Sequence, residues 1–419
     1  MVMAVAVEEQ GRKPRPVWGR VSAAAREDLH AVGQIRVPEF LLGALTPMGK
    51  AFQLSGSLTF EALLVAAVVL AVAFVRPSLR NKYVPFYALM WVFLLPYLVA
   101  VSVHAGQPWT QRSARLFGFV VLSVAIAGGR IRWRSVVAGL CFSAIFLNTA
   151  SQFVGLGNAG YEGFLTGFLG DKNVTGMVYA LCGVLLLSVL TRRWVQVVVV
   201  AVDVALLYLT GSRTSLAAFA AGLAWVLLRN RVGFLMRMVA VGIGIAVLRY
   251  TENNFAEVGV YADRQGTDWF RSMIDAATQV KVAASPWYGS GLNTAWVYVY
   301  GDRRMWFHDS YAALRVEGGY PLLISFVGLM VLVVWGLFDR KPKLSLEERA
   351  LSAGAVVLLV CAWKLGEVFF TIYTFTVIGA RLAQRCEVRD DDQNLGVAPS
   401  LPSSQLKPPA LQPERKVMR

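Results

Sequence analysis

Long apolar runs separated by short polar connections dominate the chain. They occupy 58–75, 83–103, 114–129, 135–154, 174–190, 195–210, 214–228, 232–248, 319–337 and 350–380, the last long enough for two helices broken around Lys364-Leu-Gly-Glu367. A helix crossing a bilayer takes roughly 20 apolar residues. The pattern is therefore read as eleven candidate spans, and a weaker segment over 37–55, interrupted by Pro38, Glu39, Pro47 and Lys50, would make a twelfth. The expected fold is all-α: a polytopic helical membrane protein of 11–12 transmembrane helices.

Every second connection is basic: Arg76-Pro-Ser-Leu-Arg80-Asn-Lys82, Arg130-Ile-Arg132-Trp-Arg134, Arg192-Arg193, Arg229-Asn-Arg231 and Asp339–Arg349. Short basic loops stay on the cytoplasmic side. The other connections (104–113, 155–173, the turn at Gly211-Ser-Arg-Thr, the stretch 250–318 and the turn near Lys364) are then expected to face outward, and twelve spans would leave both chain ends inside. The division that follows is a basic cytoplasmic head over 1–36, a membrane domain over 37–380 containing the outer loop 250–318, and a Pro- and Ser-containing cytoplasmic tail over 381–419 that cannot bury a core and is expected to be disordered.

Composition sharpens this reading. Of 419 residues 56% are hydrophobic and only 16% charged, with mean hydropathy +0.53. Soluble domains carry about 25% charged residues, so a large soluble catalytic domain is excluded. The formal net charge of +15 would point to nucleic acid in a soluble chain, but here most of the excess lies in loops that fix topology. Membrane lipids, not nucleic acid, are the expected surroundings. The head lacks the early apolar core of a secretory signal, so insertion is expected from the spans themselves. Four cysteines without paired spacing and three histidines, His30, His104 and His308, give no pattern for a disulfide framework or a metal site.

Candidate chemistry lies in the outward set. The loop 250–318 holds thirteen aromatic residues in 69 positions, enriched over the 12% of the whole chain; flat rings suit sugars, and they suit a membrane interface equally. Gly211-Ser212-Arg213-Thr214-Ser215 stands where an outward turn becomes a helix running inward, so free backbone N–H groups, the positive dipole end and an arginine meet in a natural phosphate site. The simpler alternative is that Ser212 or Thr214 caps the helix while Arg213 snorkels to lipid headgroups. Asp171-Lys172-Asn173 begins another inward helix, and Arg112 and Arg115 begin a third. Arg271 then precedes Pro286-Trp-Tyr-Gly289-Ser-Gly291, and His308-Asp-Ser-Tyr311 leads through Glu317-Gly-Gly319 into the next span. Asp203, deep in its span, is a functional candidate by position, with a buried, paired acid as the alternative. Arg264, Arg303 and Arg304 are read as solvated loop cations.

The ordered set of Asn173, Ser-Arg213-Thr, Arg271 with Pro286-x-x-Gly289-x-Gly291, His308-x-Ser-Tyr and Glu317-x-Gly319 resembles the O-antigen ligase and polymerase superfamily of bacterial membrane glycosyltransferases, over roughly residues 58–380. The chain departs at Asp309, where the family carries asparagine. The resemblance implies a GT-C-like helical fold in the inner membrane. It implies transfer of a glycan from an undecaprenyl-diphosphate donor to a glycan or glycolipid acceptor on the extracytoplasmic face, without metal or other cofactor. It also implies roles by position: Arg213 and Arg271 on the diphosphate and His308 beside the acceptor, with Arg112, Arg115, Lys172, Asn173, Ser212, Tyr311 and Glu317 as substrate-binding candidates. A polymerase of lipid-linked units, a polysaccharide or ion transporter and a metal-dependent GT-C enzyme are the competing readings. The loop 104–113 holds no acid, which disfavours the last.

The topology has a direct test. A cysteine placed at Gly266 should react with an impermeant thiol reagent in intact cells; reaction only after permeabilisation would invert the assignment of every outward loop.

Overall fold

A computed structural model describes residues 35–395 apart from 51–52, 56–57, 80, 156–160, 162, 255–264, 300, 302, 340 and 342. The basic head up to residue 34, Arg264 and the tail beyond Leu395 lie outside the described residues. The protein is mostly helical, with two short antiparallel hairpins, β1 (Gln53–Ser55) with β2 (Leu58–Thr59) and β3 (Trp296–Val299) with β4 (Arg303–Trp306).

The helices, in chain order, are α1 (Val37–Leu45), α2 (Phe60–Phe74), α3 (Tyr83–His104), α4 (Thr110–Ala127), α5 (Trp133–Phe142), α6 (Asn148–Phe153), α7 (Lys172–Val189), α8 (Arg193–Thr210), α9 (Arg213–Leu228), α10 (Phe234–Asn254), α11 (Gln265–Ala284), α12 (Ser310–Gly328), α13 (Leu346–Cys361) and α14 (Ile372–Leu395). Five helical stretches are long and apolar enough to cross a membrane: Tyr83–His104, Trp133–Phe153, Lys172–Val189, Arg193–Thr210 and Ser310–Trp335. Two more, Arg213–Leu228 and Phe234–Gly244, are apolar but shorter. A single wider turn, Ser143–Leu147, joins α5 to α6, and a second, Leu329–Trp335, extends α12.

Two expectations need correction. The segment 37–55 is not one span: α1 has nine residues, Thr46–Lys50 follows as a 3₁₀ turn, and the chain then enters β1. Nine helical residues rise about 14 Å, half a bilayer core. What α1 does instead is dock on α5. Gly43 and Gly139 bring the two backbones into contact, since a Cβ on either would lie 2.0 Å from the carbonyl oxygen of Val136 or 1.9 Å from that of Phe40. The second correction concerns the tail. The helix does not stop at Arg381, because α14 runs to Leu395, and Arg381 and Gln384 are buried against the bundle. The expected break near Lys364 is present between α13 and α14.

Helix α7 is the packing centre, with Met177–Leu185 buried without interruption and α5, α8, α9 and α13 around it. The basic connections gather at one end of the bundle. Ser78 Oγ donates to Gly129 O, Asn81 Nδ2 to Ala127 O and Leu382 O, Arg134 pairs with Glu347, and Arg229 and Asn230 reach the carbonyls of Asp339, Lys341 and Leu344. At the other end Leu165 N–H reaches Leu209 O, Ser310 N–H reaches Ala362 O, and Arg112 pairs with Glu317 and Glu367. The N-termini of α4, α7, α9 and α12 are thereby collected at that second end.

α12 is broken at its middle. Gly319 has φ 67° and ψ −164°, a conformation essentially restricted to glycine. The segment Pro286–Gly291 lies against this break. Tyr320 N–H donates to Trp287 O, Ser290 N–H to Val316 O and Gly291 N–H to Glu317 O. Tyr97 Oη donates to Tyr288 O at 2.7 Å from α3, and Arg315 donates to Pro286 O and Ser285 O, holding the end of α11. A Cβ on Gly319 would sit 2.1 Å from Trp287 O, and one on Gly289 2.6 Å from Gly319 N. The glycines of the Pro286-x-x-Gly289-x-Gly291 pattern are therefore explained by backbone-on-backbone docking.

Gly319→Ala should destabilise the protein by more than the about 1–3 kcal/mol of a disfavoured backbone conformation, because the methyl group also meets a carbonyl. Gly328→Ala, a helical glycine with open space around its Cβ, should cost nothing. Thermal unfolding in detergent compares the two, and equal midpoints would show that the strap is not closely seated.

Candidate functional site

Two polar clusters stand at the end of the bundle where the helix N-termini collect. The first forms around His308, between β4 and α12. Asp309 caps α12, its Oδ1 accepting from the N–H groups of Tyr311 at 2.7 Å and Ala312 at 3.2 Å. Asp171 does the same for α7, its Oδ1 accepting from Asn173 at 2.8 Å and Val174 at 2.9 Å, while its Oδ2 accepts from Tyr161 Oη at 2.7 Å. An acid at a helix N-terminus satisfies orphan donors and meets the positive dipole end. The side chains of Asp171 and Asp309 are thus spoken for, and they fix the starts of the helices that frame His308.

His308 is half-buried. Burial lowers its pKa below the ordinary histidine value, and the Arg271 guanidinium lowers it further, with Lys364 adding to the effect; Asp275 and Asp171 oppose them. The imidazole is consequently neutral at pH 7 and open to accept a proton. Tyr161 feels the same groups: burial and its bond to Asp171 push the phenol up to about 12, against Arg271. Arg271, Asp275, Asp171, Tyr161, Lys364 and His308 therefore share one electrostatic neighbourhood, assembled from α11, the start of α7, the loop before α12 and the turn after α13. Arg271 is exposed, and it makes no hydrogen bond or ion pair among the described residues.

Arg213 begins α9 in the next layer. Gly176 of α7 faces it, since a Cβ there would lie 2.7 Å from Ser215 Oγ and 2.8 Å from Ser212 Cβ. Ser212 occupies the N-cap position but spends its hydroxyl on Ser215 Oγ at 2.8 Å, not on the helix backbone. The simple capping reading of Ser212 is thus not what the structure displays. Lys172 lies over the rings of Tyr161 and Phe164, 5.4 and 4.2 Å from their centroids. Asn173 uses its backbone N–H on the Asp171 cap. Ser212 thus packs against Gly176, one turn after Lys172 and Asn173 on α7, while Arg271, His308 and Asp171 share one field.

The second cluster takes Arg112, Arg115 and Glu317 together, but with one another. Arg112 reaches Glu317 Oε2 through Nε and Nη2, both at 3.1 Å, and Glu367 Oε1 through Nη1 at 3.2 Å. Arg115 Nη1 lies 3.6 Å from the same Glu367 oxygen. Glu317 is 1% exposed, and a carboxylate so placed needs its partner, because removing one half of a buried pair costs about 3–5 kcal/mol. These arginines neutralise acids and lock α4 to α12 and to the turn before α14. Tyr311 also turns away from His308: its Oη donates to Leu359 O at 2.8 Å and its ring stacks edge-on against Phe369 at 5.1 Å.

Asp275, Tyr161 and Arg315 carry parts of this end that sequence reasoning did not single out. Asp275 had a signal, lying one helical turn after Arg271, where i and i+4 side chains meet. Among the described residues no three His, Cys, Asp or Glu side chains lie together as a metal site requires. No family model matches the chain, and no curated protein matches it.

The electrostatic account predicts the direction of two shifts. Arg271→Ala removes a positive neighbour and should raise the His308 pKa; Asp275→Asn removes a negative one and should lower it further. Histidine-selective NMR of protein carrying His30→Gln and His104→Gln measures both, and unmoved titrations would separate His308 from α11.

Proposed function

We propose that the protein is an integral membrane glycan transferase, moving a glycan from an undecaprenyl-diphosphate carrier to a glycan or glycolipid acceptor at the extracytoplasmic face of a bacterial inner membrane. The reading rests on the resemblance of the ordered motifs. The observation that carries it is the exposed Arg271, without a hydrogen bond or ion pair among the described residues, in the electrostatic neighbourhood of the half-buried His308 at the end where the helix N-termini collect. The alternating basic connections, gathered at the opposite end, support the assignment of sides.

In this mechanism Arg271, with Arg213 from α9, holds the donor diphosphate. Arginine suits the task because its planar, permanently charged fork matches phosphate oxygens bidentately. The acceptor hydroxyl oxygen attacks the anomeric carbon, the bond from that carbon to the phosphate oxygen breaks, and its electron pair leaves with the diphosphate. The hydroxyl proton passes to His308, whose lowered pKa keeps it unprotonated at neutral pH. Charge grows on the diphosphate as the bond breaks, so a fixed arginine stabilises the transition state more than the ground state. No metal or other cofactor is needed in this scheme.

Ligase and polymerase share this chemistry and differ in the acceptor. Long unattached polymer accumulating in a deletion strain indicates a ligase, and single unpolymerised repeats a polymerase. The transporter reading draws on Asp203, which is fully buried in α8 against Gly183 of α7 with neither carboxyl oxygen hydrogen-bonded. Among the described residues it has no hydrogen-bond or ion-pair partner, whereas Arg112, Arg115, Glu317 and Glu367 pair at one end of the bundle and Arg134 and Glu347 at the other.

Arg271→Ala should lower turnover by about 10²–10³-fold, as removal of one preorganised transition-state donor does, and Arg271→Lys should restore only part. His308→Ala and His308→Gln should keep donor binding and lose about 10²–10⁴-fold in rate. Near-wild-type transfer by folded His308 variants would return that residue to a structural role, and full activity of Arg271→Ala would remove the diphosphate assignment.

A further inference from the structure

A cavity runs along the bundle from its basic end to Asp309, the neighbour of His308, and its basic end has no part in the proposed reaction. α10 stands off from α9, α12 and α13, leaving an apolar groove of about 540 Å³ between them. Its walls include Ala221, Val327, Val331, Val356, Leu359 and Ala240. At its basic end it meets three buried donors. Arg229, 2% exposed, uses Nη2 on the carbonyls of Asp339 and Lys341, each at 3.0 Å, and Arg237, 5% exposed, uses Nη1 on Asp339 O at 3.2 Å. Nε of each arginine has no hydrogen-bond partner, and neither has Trp335 Nε1. All three side chains line the same groove.

Nearby carboxylates answer them only in part: those of Asp339 and Glu348 act on Arg229 through space, and that of Asp339 on Arg237, without a hydrogen bond or ion pair to either arginine among the described residues. Asp339 is 3.8 Å from Arg385, Glu348 is 3.5 Å from Lys341, and Trp225, stacked edge-on against Trp335 at 5.2 Å, has given its own N–H to Ser352. Among the described residues the hydrogen bonds of both buried guanidinium groups end on carbonyls, and no carboxylate is bonded to either. Buried charges are rarely left so, because an uncompensated charge in apolar surroundings is costly. The opposite end of the groove carries Asp309, Tyr311 and Trp363. An anionic group entering the groove is attracted to the arginine end and repelled from the aspartate end.

We propose that this groove binds an anionic glycerophospholipid, its phosphate on Arg229, Arg237 and Trp335 Nε1 and an acyl chain along the apolar walls toward Val356 and Leu359. Phosphate oxygens supply the acceptors that the three orphan donors need, and arginine is the side chain suited to them. The apolar length explains why the ligand is a lipid and not free phosphate. With the helices in a bilayer, the basic end lies at the level of the cytoplasmic leaflet, where anionic lipids interact with basic side chains. The proposal rests on the membrane reading of the helices and is independent of the glycan transfer chemistry.

Native mass spectrometry of the purified full chain in detergent, titrated with phosphatidylglycerol, phosphatidylcholine or inorganic phosphate, tests it. One phosphatidylglycerol should be retained with about tenfold preference over phosphatidylcholine, whose phosphate is the same but whose choline cation is repelled by the two guanidinium groups, and inorganic phosphate should not compete at equal concentration. Arg237→Gln should remove that preference. Ala240→Phe, which fills the groove from the exposed side of α10 and leaves the arginines in place, should weaken both lipids; its melting midpoint checks that it folds. Equal retention of both lipids, competition by free phosphate, or undiminished binding in Ala240→Phe each overturns the proposal. Arg271→Ala should bind phosphatidylglycerol as the wild type does, so loss of transfer and loss of lipid are read separately.

Discussion

The arrangement of the candidate site depends on a backbone contact: the Pro286–Gly291 segment laid against the break of α12 at Gly318–Gly319. Arg271 rides on α11, whose C-terminal end is fixed by Arg315 through the carbonyls of Ser285 and Pro286. His308 precedes α12, whose first turns carry Val316 and Glu317, the acceptors for Ser290 and Gly291. The same strap thus sets the helix bearing the cation against the loop bearing the histidine. A side chain at Gly289 or Gly319 would part the two backbones, and with them the shared field on His308. Geometry at this end follows from the absence of a methyl group at two positions some thirty residues apart.

Charge at that end is divided between structure and chemistry by burial. Arg112 and Arg115 meet Glu317 and Glu367, and the four side chains tie α4, α12 and the turn before α14 into one unit. Arg271 stays exposed with no such partner among the described residues. A guanidinium already bonded to a carboxylate offers little to a phosphate, since the ligand would have to displace an anion of similar strength. The site candidates therefore separate into a network that holds helices together and a pair, Arg271 and His308, left with capacity to act.

Much of this end was legible in sequence, for physical reasons that can be named. Helix starts at Lys172 and Arg213 follow from the polar residues at the turns before them, whereas the start at Ser310 was missed, because the span is expected only from residue 319, and the spacing of Gly289 and Gly291 did not reveal their docking on α12. The break between α13 and α14 was visible as polar residues inside a long apolar run. Pairings were not legible. Whether Arg112 faces a phosphate or Glu317, 205 residues away in the chain, is decided by tertiary packing, and a lone arginine at a helix start reads the same in both cases. The segment 37–55 misled because its apolar content matches a span while Gly43 and Gly139 direct α1 onto α5. The helical extension to Leu395 was hidden because its charged sequence has no apolar face long enough to announce it.

Asp309 shows how one position can serve two chemistries without conflict. Aspartate and asparagine are comparable N-cap residues, each offering a side-chain oxygen to the same backbone donors. The departure from the asparagine of the resembling family therefore leaves the start of α12 in place. What changes is charge, one residue from a histidine whose field is already balanced between Arg271 and Lys364 on one side and Asp275 and Asp171 on the other. The Asp309 carboxyl is itself raised by burial, and its Oδ1 points to the N–H groups of Tyr311 and Ala312. Held there, its charge is directed into the dipole of α12. The histidine keeps a depressed pKa although an acid precedes the helix beside it.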